Sequence, residues 1–338
     1  MTVAIIRLSS LGDVVLSAVF LPFLKERYKV TIHWFIDETF APLLKNCPCI
    51  DMLHALPYKK TLHSKNPLKI WRFYKNLRHL GVFDLVIDMQ GLIKSALLGF
   101  FLRKRKFIGF DRQSIRESLA SLFYSHTVHI PYQQHILKRN QKILQEAFNL
   151  LYPPCDWQNC LQKRQQAFFC PPYPPLDFIK KDCQKVLFVL ETSRPNKTYP
   201  LERFYALGLA LKEYALEVWL LAHKQREQAQ KLYEKLNPHL PTQLLPPLTL
   251  NQVKSVIIQA SVVVGGDTGV VHLSWALNIP SVTLYGNTPP ERFKLEGEGH
   301  VYLCANLKAN YDKKDFSIQE IPPTAIKEAI LQVLERKV

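Results

Sequence analysis

The sequence predicts an α/β chain of two doubly wound, Rossmann-like domains facing a central cleft. Three observations carry this expectation. Short β-branched runs alternate with longer helical patterns along the chain, as in parallel sheets covered by helices. At 338 residues the chain exceeds the roughly 100–200 residues of an ordinary domain. Between the halves, residues 151–183 hold Pro153, Pro154, Pro171, Pro172, Pro174 and Pro175 with little periodicity, as a connection does. The expected division is an N-terminal domain over 1–160, a linker over 161–183 and a C-terminal domain over 184–338.

Taken in order, Thr2–Arg7 opens the chain as a strand and leads into an apolar helix, Val14–Leu24. Val30–Ile36 and Leu85–Asp88 supply further strands of the first half. The second half contributes Val186–Leu190, Glu217–Leu221, Ser261–Gly265 and Ser281–Tyr285. A closing helix, Pro322–Arg336, carries Ile326, Ala329, Ile330, Val333 and Leu334 at helical spacing and is expected to be structural, with the option of packing back on the N-terminal domain. Open α/β sheets bind ligands beyond the carboxyl ends of their strands, so the strand-to-helix turns are where function is sought.

Composition narrows the classes. With 47% hydrophobic and 11% aromatic residues, this is an ordinary folded chain. The seven cysteines are odd in number and lack paired C-x-x-C spacings, so they read as reduced thiols and not as a metal or redox site. The start reads as a strand and not as a secretion leader, and no apolar run approaches the ~20 residues that span a bilayer. A cytoplasmic protein is expected. The net charge of +16 is concentrated in residues 1–150, which hold 22 Lys and Arg against 10 Asp and Glu, while the remainder holds 22 against 18. Its densest stretches, Lys59–His79 and Arg103–Lys106, suit phosphate groups, anionic lipid or nucleic acid, or form a solvated basic face. No zinc finger, RNA-binding aromatic motif or basic recognition helix accompanies the charge, so a nucleic-acid partner is not expected.

Neither G-x-G-x-x-G nor a P-loop occurs, which disfavours a dinucleotide dehydrogenase or a P-loop ATPase. No D-x-D pair is present to hold a cation on a diphosphate, and no metal or cofactor is expected. Four turns remain. Arg7-Leu-Ser9-Ser10-Leu-Gly12-Asp13 follows the first strand; Ser10 and Asp13 fit a capping box, and Asp13 is either a cap or a base kept ionised by the helix terminus. Gly265-Gly266-Asp267-Thr268-Gly269-Val-Val-His272 is either an anion cradle or an Asp cap in a tight turn. Glu191-Thr192-Ser193-Arg194-Pro195-Asn196-Lys197 places Lys197 where it neutralises a diphosphate, or is a surface loop. Asp88-Met-Gln-Gly-Leu-Ile-Lys94-Ser95, with Arg116 further on, offers cations for carboxylates or phosphates, Arg116 being otherwise a plain surface charge.

Together, Ser9-Ser-Leu-Gly-Asp-Val14, Asp88-Met-Gln-Gly-Leu-Ile-Lys-Ser95, Arg116-Glu-Ser-Leu-Ala-Ser-Leu-Phe-Tyr124, Gln133-Gln-His135, and Asp267-Thr-Gly-Val-Val-His272 followed by Tyr285-Gly286 resemble the type I lipopolysaccharide heptosyltransferases along nearly the whole chain. These are metal-independent, inverting glycosyltransferases of the GT-B fold that use ADP-L-glycero-β-D-manno-heptose and act on the first Kdo of Kdo2-lipid A. The resemblance implies that Asp13 is the general base. It implies that Thr192, Ser193, Lys197, Asp267, Thr268, Gly269 and His272 bind the donor. Ser10, Gly12, Lys94 and Arg116 would face the acceptor, with the enzyme peripheral on the anionic cytoplasmic face of the inner membrane. A type II acceptor specificity is the nearer alternative. One departure stands out: members of the family often carry an acid after the strand corresponding to Val218–Leu221, whereas this chain reads Ala222-His-Lys-Gln-Arg-Glu227, leaving Gln225 or Glu227 as substitutes.

Overall fold

The first strand, β1 (Thr2–Ile6), has four fully buried residues in succession, as a strand covered on both faces requires. In this computed structural model, which describes residues 1–168 and 183–335, it lies inside a six-stranded sheet. The others are β2 (Thr31–Asp37), β3 (Met52–Leu56), β4 (Val82–Asp88), β5 (Arg103–Phe110) and β6 (His126–Val128). A second sheet holds β7 (Gln184–Val189), β8 (Leu216–Leu221), β9 (Thr242–Leu244), β10 (Val262–Gly266), β11 (Ser281–Tyr285) and β12 (His300–Cys304). The orders are β3-β2-β1-β4-β5-β6 and β12-β11-β10-β7-β8-β9. Every pairing is parallel, with Ile6 beside Asp88 in the first sheet and Gly265 beside Val189 in the second.

Both orders reverse direction once, between β1 and β4 and between β7 and β10. That switch point is where an open sheet leaves room for a ligand between diverging connections. The chain divides into two compact units between Cys170 and Pro171. Pro171, Pro172, Pro174 and Pro175 of the expected linker lie outside the described residues, as does Arg336 of the closing helix.

Two expectations are corrected, and two further segments are placed. The apolar stretch Val14–Leu24 is two helices, Leu11–Ala18 and Leu21–Tyr28, because Pro22, which lacks an N–H, fits the first turn of a new helix better than the middle of an old one. Residues 161–168 are not linker: they include the 3-10 turn Arg164–Ala167, packed on helix Leu21–Tyr28, with Ala167 and Phe168 buried. The closing helix, Pro323–Glu335, packs on helix Leu201–Leu211 and on β10, β11 and β12 of its own unit. The run Arg103–Lys106 is the first half of β5, at the opposite end of the sheet from the switch-point turns. There Lys104 donates to the carbonyls of Phe100 and Leu102, Lys106 to that of Leu150, and Arg105 lies 3.5 Å from Asp84.

Candidate active site

In the first unit the turns after β1 and β4 meet at the switch point. Arg7, directly after β1, is 6% exposed, and its Nη1 donates to the Met89 carbonyl in the turn after β4. Its Nη2 lies 2.8 Å from Asp13 Oδ1. The Ser10 hydroxyl and backbone N–H both donate to Asp13 Oδ2, at 2.8 and 3.2 Å. Burial pushes the Asp13 carboxyl up, but the Arg7 charge and the Ser10 hydrogen bonds outweigh it and hold the group below its ordinary range. Asp13 is therefore a carboxylate, partly open to solvent, with acceptor capacity left on Oδ1, where Arg7 supplies one donor. Gly12 is buried inside helix Leu11–Ala18 and offers no side chain, while Ser10 is exposed.

Asp88 ends β4 with no exposure and four hydrogen bonds. Oδ1 accepts from the N–H groups of Gln90 (2.8 Å) and Gly91 (3.2 Å), and Oδ2 from the hydroxyls of Ser95 and Tyr124, both at 2.8 Å. Gly91 has φ +68°, a left-handed conformation that glycine takes at little cost, and a Cβ there would strike Ile115. Gln90 accepts from the Leu8 N–H at 2.8 Å, so the turn built on Asp88 braces the turn that carries Asp13. Burial raises the Asp88 pKa against these donors. Lys94 is half-buried at the start of helix Ile93–Phe101; burial lowers its pKa first, and the charges of Lys59 and Arg7 lower it further against the pull of Glu117 and Asp37. Arg116 is exposed and does not pair with Glu117, whose Oε2 accepts from the Ile93 N–H at 2.7 Å.

In the second unit the turns after β7 and β10 meet in the same way. Asp267 Oδ2 receives Lys197 Nζ at 2.5 Å and Oδ1 lies 3.0 Å from His272 Nε2, with Asp267 and His272 side chains 6% exposed and Lys197 16%. Burial again pushes the Asp267 pKa up, and Lys197 with His272 pull it well below the carboxylate range. With Nε2 donating to Asp267, His272 Nδ1 is buried without a hydrogen-bond partner among the described residues. Gly266 admits the Lys197 loop: a Cβ there would collide with the Lys197 carbonyl oxygen. Thr268 is the N-cap of helix Gly269–Ala276 with no side-chain cap, leaving the amides of the first turn unsatisfied by it. The Thr192 hydroxyl is partly committed to its own loop, donating to the Arg194 carbonyl at 2.7 Å, while Ser193 is exposed.

Two residues that shape these turns are not legible as such in the sequence. Arg7 was visible as a charge ending a buried strand, but its partners at Asp13 and Met89 were not. Glu191 Oε1 accepts from the N–H groups of His223 (2.5 Å) and Lys224 (2.9 Å), and Oε2 from Gln225 (3.1 Å), so an acid in the turn after β7 shapes the loop after β8. Glu227 is exposed in the first turn of helix Arg226–Leu236. Among the described residues, no group of three or more His, Cys, Asp and Glu is placed to hold a metal ion.

Comparison with known proteins adds to this geometry. The sequence profile of glycosyltransferase family 9 (heptosyltransferase) matches residues 70–321. The chain is 30% identical to lipopolysaccharide heptosyltransferase 1 of Campylobacter coli, over 95% of both proteins. It is similar in structure to the E. coli heptosyltransferase WaaC with ADP, with TM-score 0.80 and 27% identity over 98% of this chain and 100% of that one. WaaC with ADP-2-deoxy-2-fluoro heptose matches at TM-score 0.76 and 27% identity, over 98% and 99%.

Proposed function

This chain belongs to glycosyltransferase family 9, the heptosyltransferases, and from that premise we propose that it transfers L-glycero-D-manno-heptose from ADP-L-glycero-β-D-manno-heptose to the first Kdo of Kdo2-lipid A, with inversion and without a metal or cofactor. Its two doubly wound sheets are the GT-B fold. The work belongs to lipopolysaccharide inner-core assembly, on the anionic cytoplasmic face of the inner membrane.

The observation that carries the chemistry is the Asp13 carboxylate, held ionised by Arg7 and Ser10 with acceptor capacity to spare. Inversion is one in-line displacement and needs one base. Asp13 takes the proton of the Kdo hydroxyl as that oxygen bonds the anomeric carbon; the bond from that carbon to the diphosphate breaks, and ADP departs. A carboxylate below its ordinary pKa is a weak base, which suits a proton that becomes acidic only once the new C–O bond is well formed.

The second unit meets the donor. Lys197, although paired with Asp267, keeps two further N–H donors for the diphosphate, and the amides opening helix Gly269–Ala276 add theirs as negative charge develops on ADP. Asp267 and His272 lock Lys197 in place and, with Thr192, Ser193, Thr268 and Gly269, line the donor site. Lys94 and Arg116, with Ser10 and Gly12, serve the acceptor, whose Kdo carboxylates and phosphates call for cations. The heptosyltransferase 1 relatives and the WaaC structures with ADP and with ADP-2-deoxy-2-fluoro heptose support this choice of donor.

The test is an acceptor swap with ADP-heptose in the presence of EDTA. Product on Kdo2-lipid A and none on the already heptosylated acceptor is expected. Product only on the heptosylated acceptor would move the chain to a later transfer, and none on either would refute the donor assignment.

A further inference from the structure

We propose that the helix Pro67–Leu77 and its neighbours form a membrane-docking surface that inserts Leu68 and Trp71 into an anionic bilayer; this rests on the reading above, that the acceptor is a membrane lipid. The helix buries Tyr74 and Leu77 in the core of the first unit and turns its other side to solvent, leaving Leu68 65% and Trp71 54% exposed. Helix Ile93–Phe101 packs beside it and exposes Phe100 at 53%. The 3-10 segment Ser118–Phe123 packs on that helix in turn, with Leu119 and Leu122 at 61% and 78%. Five large apolar side chains on three adjoining segments exceed the scatter of single exposed residues that a folded surface ordinarily carries.

Charge selects the occupant. From Pro57 to His79 the sequence has seven Lys and Arg and no Asp or Glu. Lys69, Arg72 and Lys75 stand on the exposed side of the same helix, Lys75 with its ammonium 4.8 Å from the Trp71 ring centroid. Trp and Leu flanked by long cationic side chains match a lipid interface, where the rings sit at the headgroup level and the ammonium groups reach anionic phosphates. Each basic side chain near such a surface strengthens partitioning by about fivefold. Among the described residues no helix is long and apolar enough to cross the membrane, so a shallow contact of this kind is the attachment the fold offers.

The experiment uses the intact protein with vesicles of phosphatidylethanolamine and phosphatidylglycerol, with phosphatidylcholine vesicles as the uncharged comparison. Trp34, Trp157, Trp219 and Trp275 are at most 3% exposed, so quenching of tryptophan emission by brominated acyl chains reports on Trp71. Quenching by anionic vesicles without any acceptor is expected, lost in Trp71→Phe. Replacing Leu68→Ser and Trp71→Ser together is expected to weaken vesicle binding about tenfold or more, with heptose transfer to a deacylated, water-soluble acceptor unchanged. Equal binding to phosphatidylcholine, undiminished binding of the double variant, or binding only when Kdo2-lipid A is in the vesicle would overturn the proposal, the last outcome making the patch part of the acceptor site. Transfer to the soluble acceptor with no vesicle binding sinks the docking surface alone. Vesicle binding with quenching but no transfer to either acceptor sinks the functional reading and leaves the surface standing.

Discussion

Arg7 and Asp13 face each other across the first turn of the first sheet, guanidinium to carboxylate at 2.8 Å, with Arg7 tied on its other side to the turn after β4. The pair gives Asp13 one arrangement that serves both as a cap and as a carboxylate kept charged. Its Oδ2 takes the Ser10 bonds that a helix cap makes, and its Oδ1 takes the cation that keeps it charged. Capping and ionisation are the same geometry.

From this follows a pH dependence. With its pKa below the ordinary 3.8, Asp13 stays ionised at every pH above that value, and whatever stability its pairing adds is fully present there and lost as pH falls through the lower folded pKa. In Arg7→Met, burial would be opposed mainly by Ser10, so the acid limb of kcat/KM should move to higher pH. A pH–rate profile unchanged from the parent would show that Arg7 does not set the charge of Asp13.

The Lys197–Asp267 pair makes a second prediction. Lys197→Met leaves a 6% exposed carboxylate short of its first counter-charge, and the loss should be about 3 kcal/mol or more. Adding Asp267→Asn removes the stranded charge, so the double variant should regain most of that stability while remaining inactive. Thermal or urea unfolding of the four proteins measures the coupling; additive losses would mean that the two side chains do not depend on each other.

Tyr124 tests the hub at Asp88. Tyr124→Phe removes one of four donors to a fully buried carboxylate, and should cost about 1–3 kcal/mol. The damage should appear in the melting temperature, with kcat near the parent value below the transition. A collapse of kcat in a protein of unaltered stability would instead place Tyr124 in the chemistry.

The central strands were legible because burial on both faces leaves continuous β-branched runs, as in β1 and β10. The strands missed at the sequence level were β3, β6, β9 and β12, all four at sheet edges, where half-exposed residues break the apolar signal, together with β5, whose opening Arg-Lys-Arg-Lys reads as a surface charge run. Asp13, Lys197 and Asp267 announced themselves through turn position. Arg7 and Glu191 did not, since their partners lie 82 residues away at Met89 and over 30 away at Lys224. The link between the segments around Asp88 and Tyr124 was not legible, since Asp88 meets the Tyr124 hydroxyl only in the fold.

The proposed transfer depends most on Asp13 as the base, and Asp13→Asn keeps the shape while removing the charge. Heptose transfer should fall by about a hundredfold or more, with ADP binding close to that of the parent and the protein still folded, at a lower unfolding transition because Arg7 loses its counter-charge. A folded Asp13→Asn protein transferring heptose at nearly the parent rate would contradict it, leaving Asp13 as a helix cap.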